Sequence, residues 1–283
     1  MLTVNDITAL RAHTARARGA QKSIALVATM GNLHEGHIEL IRCARQSADY
    51  VVASIFVNPL QFGPNEDYAS YPRTLEADRL KLEEAGCDLL FCPSVETMYP
   101  NGQAAQPRIS VPGVSWGLCG GARPGHFDGM ATIVCKLLNM VQPDSALFGE
   151  KDYQQLAVIR AMVSGLDMPV RIVAVPTRRA SDGLALSSRN GYLTEQERVQ
   201  APLLYGYLQQ VAAAIERTGQ VDPQLIADCA QHIRQAGFVL EYLEVRNALN
   251  LSPRLEGATR LAVLLAARLG KTRLIDNVTV ACG

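Results

Sequence analysis

The sequence has no excess of charge of either sign: 27 Lys and Arg stand against 27 Asp and Glu. Without a broad basic surface there is little counterion release to hold nucleic acid or a polybasic membrane contact, so neither partner is expected. No apolar run approaches the roughly 18 residues that a membrane helix needs. The N-terminal stretch MLTVNDITALRAHTARARGA has no apolar signal core, so secretion is not expected and a cytoplasmic location is. The seven cysteines (Cys43, Cys87, Cys92, Cys119, Cys135, Cys229 and Cys282) include no C-x-x-C pair, which argues against a zinc site. They read as reduced thiols, mostly small core residues. Nor is there an internal repeat.

Hydrophobic residues make up 48% of the 283 positions and charged residues 19%, enough for one large domain or two smaller ones with a proper core. Strand and helix signals alternate over the first part. Residues 23–30 (SIALVATM), 50–57 (YVVASIFV), 88–92, 145–148 and 170–175 read as strands. Residues 37–47, 73–85, 128–141 and 153–164 read as helices. Such alternation predicts βαβ units and a parallel sheet covered on both faces. After Pro176 the pattern changes to two helical stretches, 194–218 and 222–236, then β-rich runs at 240–246, 260–269 and 272–280. The expected architecture is α/β: a Rossmann-like parallel sheet over residues 1–176 and a smaller α+β domain over 177–283. Residues 101–125, rich in Gly, Pro and Gln, read as a long surface loop.

Three motifs carry chemistry. MGNLHEGH, residues 30–37, lies between a strand and a helix, where ligands bind in open α/β sheets. Free backbone N–H groups and the helix dipole at such a corner favour phosphate. Gly31 and Gly36 allow close approach, and His34 and His37 can point the same way. Taken alone, the pair also reads as two surface histidines; the metalloprotease order H-E-x-x-H is absent. FGEKDYQQ, residues 148–155, is a second strand-to-helix corner, where Lys151 would reach a phosphate as a point charge. There Asp152 also reads as a favourable first-turn charge and the corner as a solvated helix start. LSSRN, residues 186–190, sets two hydroxyls and an arginine in a loop suited to phosphate or sugar, or equally to capping the next helix.

In combination, the H-x-G-H turn and the later Ser-Ser-Arg loop resemble the nucleotidyltransferase superfamily, which includes class I aminoacyl-tRNA synthetases. The blocks TMGNLHEGH, FVNPLQFGPNEDYASYPRT, GGARPGHFDGMATIV, FGEKDYQQL and DGLALSSRNGYL then resemble the pantothenate synthetase family, in that family's order, over residues 29–193. The C-terminal third fits by length and pattern with weaker motifs.

The resemblance implies ATP-dependent joining of pantoate and β-alanine through a pantoyl-adenylate, with release of AMP and pyrophosphate. It places Met30, Gly31, Asn32, Leu33, His34, Glu35, Gly36 and His37 along the ATP site, with both histidines on the phosphates. Gly149, Glu150, Lys151 and Asp152 would add a phosphate contact and the ribose and adenine side. Leu186, Ser187, Ser188 and Arg189 would form a second phosphate wall. Asn58, Gln61 and Gln155 would face pantoate, and Gln61 also β-alanine. Tyr71, Arg123 and His126 match family blocks near the pocket. His34, His37, Lys151 and Arg189, with Mg²⁺ across the phosphates, would offset the repulsion between two anionic reactants. His37 would either protonate the departing pyrophosphate or only hydrogen-bond it. The C-terminal domain would close over the site, and a homodimer is implied.

One departure stands out: PTRRASDG puts Arg178 where the family usually has an apolar residue near the adenine, and Ala180 replaces a common acidic residue. A simple nucleotidyltransferase would leave AMP in its product; the Asn58–Gln61 block argues for the ligase. A nucleotide-sensing or RNA-binding adaptor is opposed by neutral charge and by retention of both histidines, Lys151 and Arg189.

Overall fold

In the computed structural model, which describes residues 1–64 and 66–282, the apolar runs of the first part pair into one sheet. The chain begins β1 (Leu2–Val4), α1 (Ile7–Gly19), β2 (Ile24–Thr29), α2 (Glu35–Ser47), β3 (Tyr50–Ile55), α3 (Leu75–Glu84), β4 (Leu89–Phe91) and α4 (Val95–Met98). It continues α5 (Leu118–Ala122), α6 (His126–Val141), β5 (Ser145–Gly149), α7 (Tyr153–Gly165) and β6 (Arg171–Val175). It ends α8 (Glu195–Gln200), α9 (Leu203–Thr218), α10 (Pro223–Gln235), β7 (Val239–Asn247), β8 (Arg260–Leu269) and β9 (Thr272–Ala281).

Contacts divide the chain into two compact units. The first comprises residues 1–112, 123–150 and 158–176; the second comprises 113–122, 151–157 and the chain from 177 onward.

The first unit holds a six-stranded, all-parallel sheet in the order β1-β4-β3-β2-β5-β6. Strand β2 is buried along Ile24–Val27 and β3 along Val51–Ser54, as expected of parallel strands covered on both faces. Helix α2 packs Ile38, Ile41 and Ala44, at helical spacing, into the cluster formed by Ala25, Val27, Val51, Ala53 and Leu90. Helix α6 is buried at Phe127, Met130, Val134, Leu137 and Val141 and ends on a left-handed Gln142 whose N–H returns to the Leu138 carbonyl. The order reverses at β2: β3 and β4 lie to one side and β5 to the other. The C-terminal ends of β2, β3 and β5 therefore share the sheet edge at a topological switch point, the place where such sheets bind ligands.

The second unit has an antiparallel sheet, β7-β8-β9, with α9 and α10 against it. Its core joins Leu204, Leu208, Val211 and Ile215 of α9, at four- and three-residue spacing, to Val263, Leu265 and Ala267 of β8. The α/β and α+β parts thus follow the sequence pattern.

The helical stretch expected at 194–218 is two helices. Thr194 and Glu197 form a reciprocal capping box for α8, and Pro202, which cannot donate to a helix interior, separates it from α9. The loop expected at 101–125 contains α5, with Leu118 and Cys119 buried against Ala157, Leu251, Ala262 and Leu264. Its backbone is held by Gln154, whose Nε2 donates to Val114 O (3.1 Å) and Gly117 O (3.3 Å) and whose Oε1 accepts from Cys119 N (3.0 Å). All seven cysteines are free thiols; three are buried and four half-buried. Burial pushes the Cys87 thiol up to about 12 and Cys92 to about 11, keeping both protonated. Among the described residues no helix is long and apolar enough to cross a membrane.

Candidate active site

Strand β2 runs straight into the glycine-histidine turn. Gly31 and Asn32 both take left-handed conformations, with φ of 83° and 50°. The chain then extends at His34, which becomes the N-cap of α2. His34 Nδ1 accepts from Gly36 N at 3.1 Å, and His37 Nδ1 accepts from His34 N at 3.3 Å. This is a capping box built from two imidazoles, with ring centroids 4.0 Å apart. Because each Nδ1 is an acceptor, each neutral ring carries its proton on Nε2.

Several of the backbone N–H groups expected to be open at this corner are already engaged. Gly31 N donates to Thr29 Oγ1 (3.2 Å), and Asn32 N and Leu33 N both donate to the Asp78 carboxylate at 2.8 Å. His37 N donates to His34 O at 2.8 Å. The left-handed turn spends these amides on its own support. Leu33 is buried in the α2–sheet core, and exposed Glu35 pairs with Arg42. Beside His34 lies a cavity of about 380 Å³ lined also by Glu35, Ile38, Arg42, Lys81 and Glu84.

The end of β3 leads into a 3₁₀ turn, Pro59–Gln61, capped by Asn58. Asn58 is 1% exposed, and its amide is fully engaged. Oδ1 accepts from Tyr99 OH (2.6 Å) and Leu60 N (3.2 Å); Nδ2 donates to Gln61 Oε1 (3.1 Å) and Gly129 O (3.0 Å). It thereby orients Gln61. Gln61 Nε2 in turn lies 3.0 Å from Met30 Sδ, so the ends of β2 and β3 meet at this side chain. Burial pushes the Tyr99 phenol above its ordinary value, which keeps it a donor.

Two residues flagged by the sequence support the same turn. His126 Nδ1 lies 2.8 Å from Gln61 O, and His126 Nε2 lies 2.9 Å from Arg123 Nη1. A guanidinium has only donors, so Nε2 accepts and Nδ1–H donates to the Gln61 carbonyl. Arg123 Nε donates to Glu66 Oε1 at 2.6 Å. Burial raises the Glu66 carboxyl, but Arg123's hydrogen bonds and charge outweigh it and hold the group below its ordinary value. Tyr71 packs edge-on to Phe62 at 5.9 Å.

In the first unit, Gly149 ends β5 and Glu150 follows it. The second unit carries Lys151, Asp152, Gln155, Arg178 and the 186–189 loop. Asn277 Nδ2 on β9 donates to Lys151 O at 2.9 Å, and Tyr153 OH donates to Ala248 O at 2.9 Å. Lys151 Nζ is 3.9 Å from Asp152 Oδ1. Arg178 and Leu186 face each other across a short hairpin, Leu186 N donating to Arg178 O at 2.9 Å. Arg179 braces that hairpin: it is paired with Asp276 (2.6 and 2.9 Å) and lies 3.6 Å over the Tyr205 ring. Ser187 Oγ caps the next 3₁₀ turn by accepting from Arg189 N at 3.2 Å. Lys151 and Ser187 border one small recess with Asn190, Tyr205 and Asp276, so this unit brings two of the proposed phosphate contacts together. Gln155, half-buried, is distinct from its buried neighbour Gln154.

The sequence reading did not find Asp78, Tyr99, Gly129, Gln154 or Asn277. Each acts on main chain or on another side chain from an element distant in sequence, so even Gly129 and Gln154, which lie within the quoted blocks, show no such role locally.

The sequence profile of the pantoate-beta-alanine ligase family matches residues 2–279. The chain belongs to the pantoate–β-alanine ligase family. It is 60% identical to the pantothenate synthetase of Stutzerimonas stutzeri over 280 residues, covering 99% of this chain and 98% of that protein. It is 61% identical to that of Azotobacter vinelandii, covering 99% of each. Among solved structures, the pantothenate synthetase of Thermus thermophilus superposes with a TM-score of 0.90 at 45% identity, covering 98% of this chain and 99% of that one. The Francisella tularensis pantoate-beta-alanine ligase, complexed with beta-gamma ATP and beta-alanine, gives 0.81 at 36% identity, covering 98% and 97%. Pantoate–β-alanine ligase membership thus spans both compact units.

Proposed function

We propose that this protein joins pantoate to β-alanine using ATP, forming pantothenate, AMP and pyrophosphate through a pantoyl-adenylate. The observation that carries the reading is the paired imidazole cap at the C-terminal end of β2, in a chain matching the ligase family from residue 2 to 279.

A carboxylate does not acylate an amine in water because its oxygen is a poor leaving group. In the proposed reaction the pantoate carboxylate oxygen attacks the α-phosphorus of ATP, and the bond to the bridging oxygen breaks as pyrophosphate departs. The β-alanine amine then attacks the acyl carbon, losing a proton, and AMP leaves. The first step brings two anions together, so the site must supply positive charge and donors. In this reading the Nε2–H groups of His34 and His37 bind phosphate oxygens, and Lys151, Ser187, Ser188 and Arg189 contribute from the second unit. Gly149, Glu150, Asp152 and Arg178 border the nucleoside. Gln61, Gln155 and Asn58 hold pantoate without adding negative charge, Gln61 also reaches β-alanine, and Asn58 orients Gln61 as well.

No group of three or more His, Cys, Asp or Glu arranged to hold a metal occurs among the described residues. In this reading Mg²⁺ would come with the nucleotide and offset the charge on its phosphates. Residues 1–176 would bind ATP and pantoate, residues 177–283 would close over them and exclude water from the adenylate, and the working form would be a cytoplasmic homodimer.

The test is incubation of the pure protein with MgATP and pantoate, with and without β-alanine. Pyrophosphate release on pantoate addition and free AMP with pantothenate on β-alanine addition are expected. AMP retained covalently in the final product, or no turnover at all, would overturn the reading.

A further inference from the structure

Asp78 is a fully buried carboxylate, 0% exposed, on the first turn of α3. Burying a carboxylate is costly unless donors surround it. Here every donor serves the glycine-histidine turn or its support: Oδ2 accepts from Asn32 N (2.8 Å) and Thr74 Oγ1 (3.1 Å), and Oδ1 accepts from Leu33 N (2.8 Å). One turn further along α3, Lys81 Nζ donates to Leu33 O at 2.6 Å. The same helix thus grips the amide and the carbonyl of Leu33, immediately before the His34 cap. The fit is close: a Cβ on Gly31 would lie 3.2 Å from Asp78 Oδ2 and 3.1 Å from Ile55 Cγ2. Left-handed backbone at a non-glycine residue such as Asn32 costs about 1 kcal/mol, and it persists where surrounding bonds enforce it.

From this arrangement we infer that Asp78 is a positioning residue for the nucleotide step: by fixing the Gly31–Leu33 turn, it locks His34 and His37 in the Nε2–H form, facing the phosphates. The inference rests on the reading of residues 30–37 as the ATP site. Asp78 touches no substrate. It takes up two amides of the turn and leaves phosphate binding to two imidazole donors whose tautomer is set before ATP arrives.

The deciding variant is Asp78→Asn, which keeps the shape but turns an NH₂ toward one of the two amide donors. Lys81→Met, which leaves the buried carboxylate in place, is the companion. Nitrogen NMR of the ATP-free full-length protein reports the tautomers, with His34→Gln and His37→Gln used to assign the signals. The wild type is expected to show Nε2–H for both rings, and Asp78→Asn a mixture. The variant's KM for ATP is expected to rise about tenfold, as loss of a typical charged hydrogen bond would produce, with the KM for pantoate unchanged. Lys81→Met should shift both readouts in the same direction, by less. Wild-type rings in the Nδ1–H form, or an Asp78→Asn protein with wild-type tautomers and ATP dependence, would overturn the proposal. So would equal rises in both KM values, which would mark a general structural role. Should the wild type fail to release pyrophosphate from ATP and pantoate, the ligase reading falls, while the tautomer measurement still judges the turn.

Discussion

Asn277 donates its side-chain amide to the main-chain carbonyl of Lys151 at 2.9 Å, so the last strand of the chain holds the corner that carries the proposed phosphate lysine. Lys151→Ala is expected to slow adenylation by about 3 kcal/mol, the loss typical of one charge-stabilising donor. Asn277→Ala, which keeps the lysine but releases its backbone, is expected to cost about 1 kcal/mol in kcat/KM. Pyrophosphate release under single-turnover conditions checks both, and a larger effect from Asn277→Ala than from Lys151→Ala would reverse the assigned roles.

Gly129 lies against the Asn58–Gln61 turn so closely that an added Cβ would come 2.0 Å from Leu60 O and 2.7 Å from Gln61 N. The obstacle is backbone, so it cannot swing aside. Gly129→Ala is expected to destabilise the protein by about 1–3 kcal/mol and to raise the KM for pantoate. Thermal unfolding together with a pantoate titration would check it; an unshifted Tm would mean that the helix and turn can separate freely.

Tyr99→Phe removes the hydroxyl that fixes Asn58 Oδ1 and, through it, Gln61. A buried acceptor losing one partner is expected to cost about 1 kcal/mol or more. Pantoate dependence should weaken while ATP dependence stays at the wild-type value, as steady-state kinetics with each substrate varied would reveal.

The neighbouring glutamines should separate cleanly. Gln155→Ala is expected to raise the KM for pantoate more than that for ATP. Gln154→Ala instead strips three hydrogen bonds from residues 114–119 and is expected to lower Tm. Equal kinetic effects from the two would argue against the pantoate role of Gln155.

Glu66 gives a pH prediction. Its folded value lies below the ordinary 4.5, because Arg123 outweighs the opposing effect of burial. A depressed carboxylate contributes stability that is complete above the unfolded value and is lost as pH falls through the folded one. The site is partly solvated, so the contribution at neutral pH is discounted to about 1 kcal/mol. Glu66→Gln is expected to lower the urea midpoint at neutral pH and to narrow its gap from wild type in acid. A gap that widens on acidification would contradict the sign.

The strands at the heart of the first sheet were legible because parallel strands buried on both faces spell continuous apolar runs, as IALVAT does at Ile24–Thr29. The helix at Glu35–Ser47 was legible from its period. Three-residue β1 and four-residue α4 are too short to show a period, and α1, with only Leu10, Thr14 and Ala17 buried, shows little apolar contrast. Of the candidate site, the motif residues could be named from the sequence, but not how their hydrogen bonds are spent. The Asn32 and Leu33 amides read as open donors in the sequence, yet both go to Asp78, more than 40 residues away on the amphipathic, charged helix expected at 73–85.

The second unit draws on three separate stretches of the chain, and its small cluster around Leu118, Ala157, Leu251, Ala262 and Leu264 needs all three. A fragment excised at Thr177 would carry Leu251, Ala262 and Leu264 without their neighbours Val114, Leu118, Tyr153 and Ala157, and would leave behind Lys151 and the Gln154 clamp. The halves of this enzyme cannot be traded between relatives by a single cut: a working chimera must exchange residues 113–122 and 151–157 together with the C-terminal part.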